Sequence, residues 1–219
     1  MKKSNFTEAL VLLNGDLGDT SHVKHLVSDT TLILAADGGA NLANKLGVIP
    51  HVIIGDFDSI DDEVFHRFQY HNHSIELQKF PADKDETDSE LALNYLLKTG
   101  VKHVIVSGFQ GSRIDHMLGN LFLLRKFYAK FDDLRIIEGN QEIYLIADQA
   151  TIHGSKGDTI SFMPIAGEVV VKASSGLAYD LSKYVISQIE NPGISNVMTH
   201  SMATIDITEG QLLVIRTIS

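Results

Sequence analysis

The 219-residue chain carries 18 Lys and Arg against 28 Asp and Glu, a formal net charge of −10, with 44 % hydrophobic residues and neither Cys nor Trp. That length accommodates one large domain or two small ones. The missing cysteines exclude disulfides, thiolate metal sites and cysteine nucleophiles, leaving carboxylates, His, Lys, Arg, hydroxyls and hard cations for any chemistry. No apolar run approaches the roughly 18 residues that span a bilayer. The acidic balance, with no Lys/Arg run among aromatics, argues against a nucleic-acid partner. Lys2 and Lys3 are followed by Glu8 before an apolar stretch too short for a signal peptide, so the chain is read as cytoplasmic.

In chain order, strands are predicted at residues 9–13, 32–36, 51–54, 75–80, 103–107 and 134–137, with helix-period segments between them. The clearest helix starts after Thr87 and runs to residue 98, with Thr87 and Glu90 spaced as a capping box. The next, residues 115–130, aligns Met117, Leu121, Leu124 and Tyr128, and Leu118 and Phe122 widen that stripe into a core-facing surface. Between residues 70 and 75, His71-Asn72-His73 reads as a polar loop. Residues 1–138 are therefore expected to form an α/β domain, an open, mainly parallel sheet with helices on both faces. From residue 139 to 219 the texture changes to short Val/Ile/Thr-rich runs at 143–147, 159–163, 168–173, 197–207 and 212–218. Gly154, Gly157, Gly167, Gly176, Gly193 and Gly210, with Pro164 and Pro192, fall where hairpin turns are expected. The expectation here is an all-β, sandwich-like domain.

Four segments place polar residues just after predicted strands, at the edge where open α/β sheets bind ligands. In the first, Asp37-Gly38-Gly39, paired glycines allow close backbone approach and the following helix offers N–H groups to an anion, while Asp37 could equally cap that helix. In the second, Gly55-Asp56-Phe57-Asp58-Ser59, carboxylates at i and i+2 of an extended stretch face one side and suit a hard cation such as Mg²⁺. In the third, Asp83, Asp85, Glu86, Asp88 and Glu90 are five acids within eight residues, more than a helix N-terminus calls for, with Lys84 among them to hold phosphate. In the fourth, Gly108 to His116, a glycine-bearing loop leads to Arg113, Asp115 and His116, a setting suited to phosphate, although Asp115 could serve as an N-cap.

Taken together, Ala-Asp-Gly-Gly-Ala-Asn (36–41), Gly-Asp-Phe-Asp-Ser (55–59), Asp-Lys-Asp-Glu-Thr-Asp (83–88) and Gly-Ser-Arg-Ile-Asp-His (111–116) resemble the thiamine pyrophosphokinases, and Gly-Ile-Ser-Asn (193–196) resembles that family's vitamin-binding segment. The resemblance implies a homodimer with thiamine near the subunit interface and pyrophosphate transfer from ATP to the thiamine hydroxyl, releasing AMP. It makes Asp56, Asp58, Asp85 and Asp88 catalytic and Mg²⁺-binding candidates. Asp37, Gly38, Gly39, Lys84, Thr87, Arg113, Asp115 and His116 become the ATP and phosphate side, and Ser195 and Asn196 hold the aminopyrimidine. With no Trp in the chain, Tyr179, Tyr184 or an aliphatic surface would cover the vitamin's rings. A pyrophosphokinase acting on a hydroxymethylpterin and a non-catalytic thiamine or nucleotide sensor remain open as alternatives.

Overall fold

The computed structural model describes residues 6–16, 20–71, 74–182 and 184–218. Residue 71 closes a helix, whereas residues 72–73 of the predicted polar loop, like residues 1–5, lie outside the described residues. The chain divides into two compact units, Met1–Gly139 and Asn140–Ser219.

The first unit alternates strand and helix: β1 (Glu8–Leu12), α1 (Ser21–His25), β2 (Thr31–Ala36), α2 (Gly39–Leu46), β3 (Val52–Gly55), α3 (Asp62–His71), β4 (Glu76–Lys79), α4 (Asp88–Thr99), β5 (His103–Ser107), α5 (Ile114–Phe127) and β6 (Asp133–Glu138). Its strands lie in the order β6-β5-β1-β2-β3-β4, and every pairing among them is parallel. Strand alternation directs Leu10, Leu12, Ile33, Ala35 and Ile53 into one core with Leu42 and Leu46 of α2 and Val64 and Phe68 of α3. Val11, Leu13, Val106, Leu134 and Ile136 face the other way, toward Leu93 of α4 and Leu124 of α5. Helices thus cover both faces, and every strand-to-helix loop opens on the carboxyl edge of the sheet.

One helix departs from expectation. In α5, Leu124 and Phe127 are buried, but Ile114, Leu118 and Phe122 are exposed, so the stripe does not widen toward the core as predicted. A single-turn 3₁₀ helix, Tyr128–Lys130, completes the segment.

The second unit contains β7 (Gln141–Ile146), β8 (Ala150–His153), β9 (Thr159–Ser175), β10 (Val185–Ile186), β11 (Asn196–Val197) and β12 (Met202–Thr217). All pairings within it are antiparallel. The runs predicted as separate strands merge: β9 passes through Pro164 and Gly167, and β12 passes through Gly210. Register shifts between Asp206 and Leu212 show why, because these breakers sit in bulges that bend paired strands rather than in hairpin turns. Both ends of each bent strand reach one core: Ile160, Phe162, Val169 and Val171 from β9, and Ala203, Ile205, Leu212 and Val214 from β12. Inside this unit, Arg216 donates to Glu142 Oε2 at 2.8 Å and to Asp158 Oδ2 at 2.8 Å. Burial opposes its charge, but the two carboxylates outweigh that effect and hold the guanidinium above its usual pKa. No described helix is long and apolar enough to cross a membrane.

Candidate active site

The loops after β2, β3 and β4 converge on a group of carboxylates. One oxygen each from Asp37, Asp56 and Asp58 falls within 4.8 Å of the others. Two of these residues were expected to pair; the third arrives from the loop after β2. Asp37 is only 6 % exposed and does not cap α2, since the N-cap is Gly38 and no side chain caps it. Instead the Asp37 carboxylate accepts the Ser59 N–H at 3.4 Å, while Asn41 donates to the Ser59 carbonyl and accepts the Asp61 N–H, both at 3.0 Å. These bonds tie the loop after β3 to the start of α2.

The Asp56–Asp58 stretch is not extended as predicted. Phe57 has φ +72°, in the left-handed region that bulky residues avoid, and the Asp58 N–H reaches Asp56 Oδ1 at 3.2 Å. A tight turn therefore brings the two carboxylates together, with the Phe57 ring held 5.7 Å from that of Phe65. Among the described residues, the non-glycine positions with positive φ are Asp37, Phe57 and Ser195, each inside a motif singled out from the sequence. Strained backbone persists only where surrounding contacts impose it, and it concentrates at ligand sites.

Gly38 and Gly39 serve packing first. A Cβ at Gly39 would lie 1.9 Å from the Leu12 carbonyl oxygen, and one at Gly38 would lie 2.2 Å from the Asn14 side chain. The space beside the two Cα atoms is thus filled by the Leu12 carbonyl and the Asn14 side chain just beyond β1.

From the loop before α4, Lys84 places Nζ 3.1 Å from Asp88 Oδ1. Burial raises the Asp88 pKa, the Lys84 ammonium opposes that rise, and the negative charges of Asp37 and Asp56 add to it. Asp88 therefore stands within the field of the three-carboxylate group. Thr87 is the N-cap of α4 and accepts the Glu90 N–H at 3.2 Å. The reciprocal half of the capping box is absent, because Glu90 turns to Lys126. Asp85 is exposed and outside the group of three.

The loop after β5 differs from its prediction. The N-cap of α5 is Arg113, not Asp115. Arg113 binds Asp115 through two contacts, 2.5 and 3.2 Å, which raise the guanidinium pKa and lower that of the carboxylate. Both residues and His116 are exposed. The amides at the loop's start are already engaged: those of Gly108 and Phe109 donate to Glu138 Oε2 at 2.8 and 3.1 Å. Sequence reasoning missed Glu138, whose partners lie about thirty residues earlier and leave no local signal.

In the second unit, Ser195 is exposed and its N–H donates to Ser161 Oγ at 3.0 Å. Asn196 is fully buried, at 0 % exposure. Its Oδ1 accepts the Tyr179 and Val197 N–H groups, and its Nδ2 donates to the Tyr179 carbonyl at 2.8 Å. Asn196 was expected at the ligand; the structure gives it a scaffolding role, since both its Oδ1 and its Nδ2 have partners within the fold and hold the loop that exposes the Tyr179 ring.

Fold and site together define a two-domain protein whose α/β part gathers acidic side chains, with one half-buried lysine, at the carboxyl edge of a parallel sheet. Residues 23–137 match the family model described as thiamin pyrophosphokinase, catalytic domain, and residues 143–212 match thiamin pyrophosphokinase, vitamin B1 binding domain. The chain is 30 % identical over 188 residues to thiamine pyrophosphokinase of Bacillus subtilis, covering 85 % of this chain and 87 % of the relative. It is 28 % identical over 202 residues to thiamine pyrophosphokinase 2 of Arabidopsis thaliana, covering 80 % and 73 % of the two chains. A crystal structure of the Bacillus subtilis thiamine pyrophosphokinase superposes with a TM-score of 0.86 at 27 % identity, covering 97 % of this chain and 99 % of that one. The chain belongs to the thiamin pyrophosphokinase family and is, by that membership, a pyrophosphotransferase.

Proposed function

We propose that this chain transfers the pyrophosphoryl group of Mg-ATP to the hydroxyl of thiamine, giving thiamine diphosphate and AMP. The observation that carries this reading is the convergence of Asp37, Asp56 and Asp58 within a family catalytic domain. Oxygen donors from three carboxylates, one of them deeply buried, suit a hard divalent cation. Asp37, Asp56 and Asp58 would hold Mg²⁺, with Asp88 and Asp85 at its margin. When bound, the metal neutralises charge on the phosphoryl oxygens and orients them.

The chain's own residues supply the rest. Lys84, held by Asp88, adds a fixed positive charge beside the acidic group, and Arg113 offers a planar guanidinium to phosphate once it leaves Asp115. The Thr87 hydroxyl and the amides of Gly38 and Gly39 complete the phosphate side, with Asp115 and His116 toward the nucleotide. The thiamine oxygen bonds to the β-phosphorus as the bridge between the α- and β-phosphates breaks. Its proton passes to a carboxylate of the Asp85/Asp88 pair, and AMP leaves with the bridging oxygen. Ser195 and the Tyr179 ring, whose loop Asn196 fixes, and the exposed Tyr184 form the vitamin-binding surface of the second unit. We further read the protein as a cytoplasmic homodimer with thiamine near the subunit interface and with no nucleic-acid or membrane partner; the family resemblance and the acidic composition support this.

The test is product analysis of purified protein with Mg-ATP and either thiamine or a hydroxymethylpterin. Stoichiometric AMP and thiamine diphosphate, lost on chelation, are expected. AMP formed with the pterin alone would move the acceptor, and no AMP with either would leave a sensor.

A further inference from the structure

We propose that Glu138 is a positioning residue for the loop between β5 and α5: its carboxyl fills the backbone nest made by the Gly108 and Phe109 N–H groups and so sets the course of the segment that leads to Arg113. This rests on the proposed reading of Arg113, Asp115 and His116 as the nucleotide side.

Consecutive amides converging on one point form an anion-binding concavity of the kind that cradles phosphate in other proteins. Here the anion is internal. Glu138 ends β6, is 4 % exposed, and accepts both N–H groups on a single oxygen, Oε2. Its other oxygen, Oε1, is buried and has no hydrogen-bond partner. A carboxyl is costly to keep in such a place, so the contacts that surround it indicate what it does.

Those contacts stitch the loop on each side. Ser107 Oγ donates to the Ile137 carbonyl at 2.6 Å, the Leu13 N–H to the Ser107 carbonyl at 2.8 Å, and the Asp16 N–H to the Gln110 carbonyl at 3.0 Å. Gly108 itself has φ +77°, and a Cβ there would lie 2.6 Å from the Leu13 carbonyl oxygen. The chain is therefore fixed from Ser107 to Gln110, whereas Gly111, Ser112 and Arg113 beyond it are exposed. Loss of Glu138 would free the fixed part and let the exposed part wander.

The carboxyl also titrates where it matters. Burial pushes its pKa up to about 7, the two N–H groups resist, and the charge of Asp16, facing it from the loop after β1, adds to the rise. The ionised form accepts the two N–H groups more strongly, so the loop tightens as pH rises through about 7. Stability runs the other way. With the folded pKa raised above the ordinary 4.5, the carboxyl's stabilising contribution is complete below that value and is lost as pH rises to about 7.

The experiment compares the full chain with Glu138→Gln and Glu138→Ala by amide hydrogen exchange at residues 108–113, by ATP and thiamine kinetics, and by thermal unfolding from pH 5 to 8. Glu138→Ala should exchange faster at 108–110 and raise KM for ATP about tenfold or more, as expected for losing hydrogen bonds to a charged acceptor. KM for thiamine should stay within about twofold, since the loop reads the nucleotide. Glu138→Gln keeps an acceptor and serves if the alanine variant does not fold. Its loop should exchange near the wild-type rate at pH 6, and its protection at 108–110 should not rise with pH around 7 as the wild-type loop's does. Its stability relative to wild type should improve between pH 5 and 8. Unchanged exchange and unchanged KM for ATP in Glu138→Ala would overturn the proposal, as would loop exchange at 108–110 that, corrected for the intrinsic rate, follows pH identically in wild type and Glu138→Gln. A wild-type protein that forms no AMP would instead defeat the functional reading, and the exchange rates would still decide the anchoring.

Discussion

Two groups of carboxylates in this chain meet opposite electrostatic fates. In the second unit, Glu142 and Asp158 converge on Arg216, which donates to both; Asp158 is almost fully buried, and the charge is settled inside the fold. In the first unit, Asp37, Asp56 and Asp58 converge with no cation among the three, and the nearby ammonium of Lys84 leans on Asp88. Like charges held this close raise one another's energy, and on the proposed function a bound Mg²⁺ would relieve that repulsion. On the proposed function, the contrast separates an ion group that supports the fold from one that would take a metal ion.

Neutralisation should therefore act oppositely on the two groups. Asp56→Asn or Asp88→Asn should lower turnover by at least about 1,000-fold, roughly 4 kcal/mol of transition-state stabilisation, while the metal-free protein melts no lower than wild type because a repulsion is relieved. Normal turnover in both variants would remove the metal-site reading. Arg216→Met should keep the chemistry of the first unit but cost about 3 kcal/mol or more in stability, since two buried carboxylates lose their partner; denaturant unfolding measures it, and a loss under 1 kcal/mol would mean that water reaches that cluster. Added Mg²⁺ sharpens the comparison without mutation. At about one hundred times its Kd it should stabilise wild type by about 2.7 kcal/mol and leave the Asp56→Asn melting curve in place. The smallest effect falls on Arg113→Ala, where about tenfold weaker ATP binding with thiamine little affected is expected, since an exposed guanidinium contributes modestly. Equal weakening of both substrates would move Arg113 away from the nucleotide.

How much of this was legible in the sequence differs between the same two units. The parallel-sheet half was read well because its central strands are short β-branched or aliphatic runs; β5 falls at 103–107 as expected, and Thr87 caps α4 as its hydroxyl predicts. In the second half, Gly167 and Gly210 read as turns because a glycine in a bulge and a glycine in a hairpin look alike until the pairing partner is known. Within the site, Asp56 and Asp58 were found by spacing, yet the left-handed turn at Phe57 that joins them was not, and Asp37 was left between cap and ligand. Each such position leans on a partner outside its own motif: Ser59 for Asp37, Phe65 for Phe57, Tyr179 for Asn196. The exposed Leu118 and Phe122 show the converse limit, for periodicity marks an apolar face but does not say what covers it.

The long β12 also fixes an order of events during synthesis. It pairs along one side with β9, and along the other with β8 through Met202–Ile205 and with β7 through Leu212–Thr217, so it supplies the central strand for segments made up to 76 residues earlier (Thr217 opposite Gln141). All six strands of the first unit, by contrast, are complete by Glu138. The catalytic half can fold while the chain is still emerging, whereas β7, β8 and β9 must wait with open edges until β12 has been made.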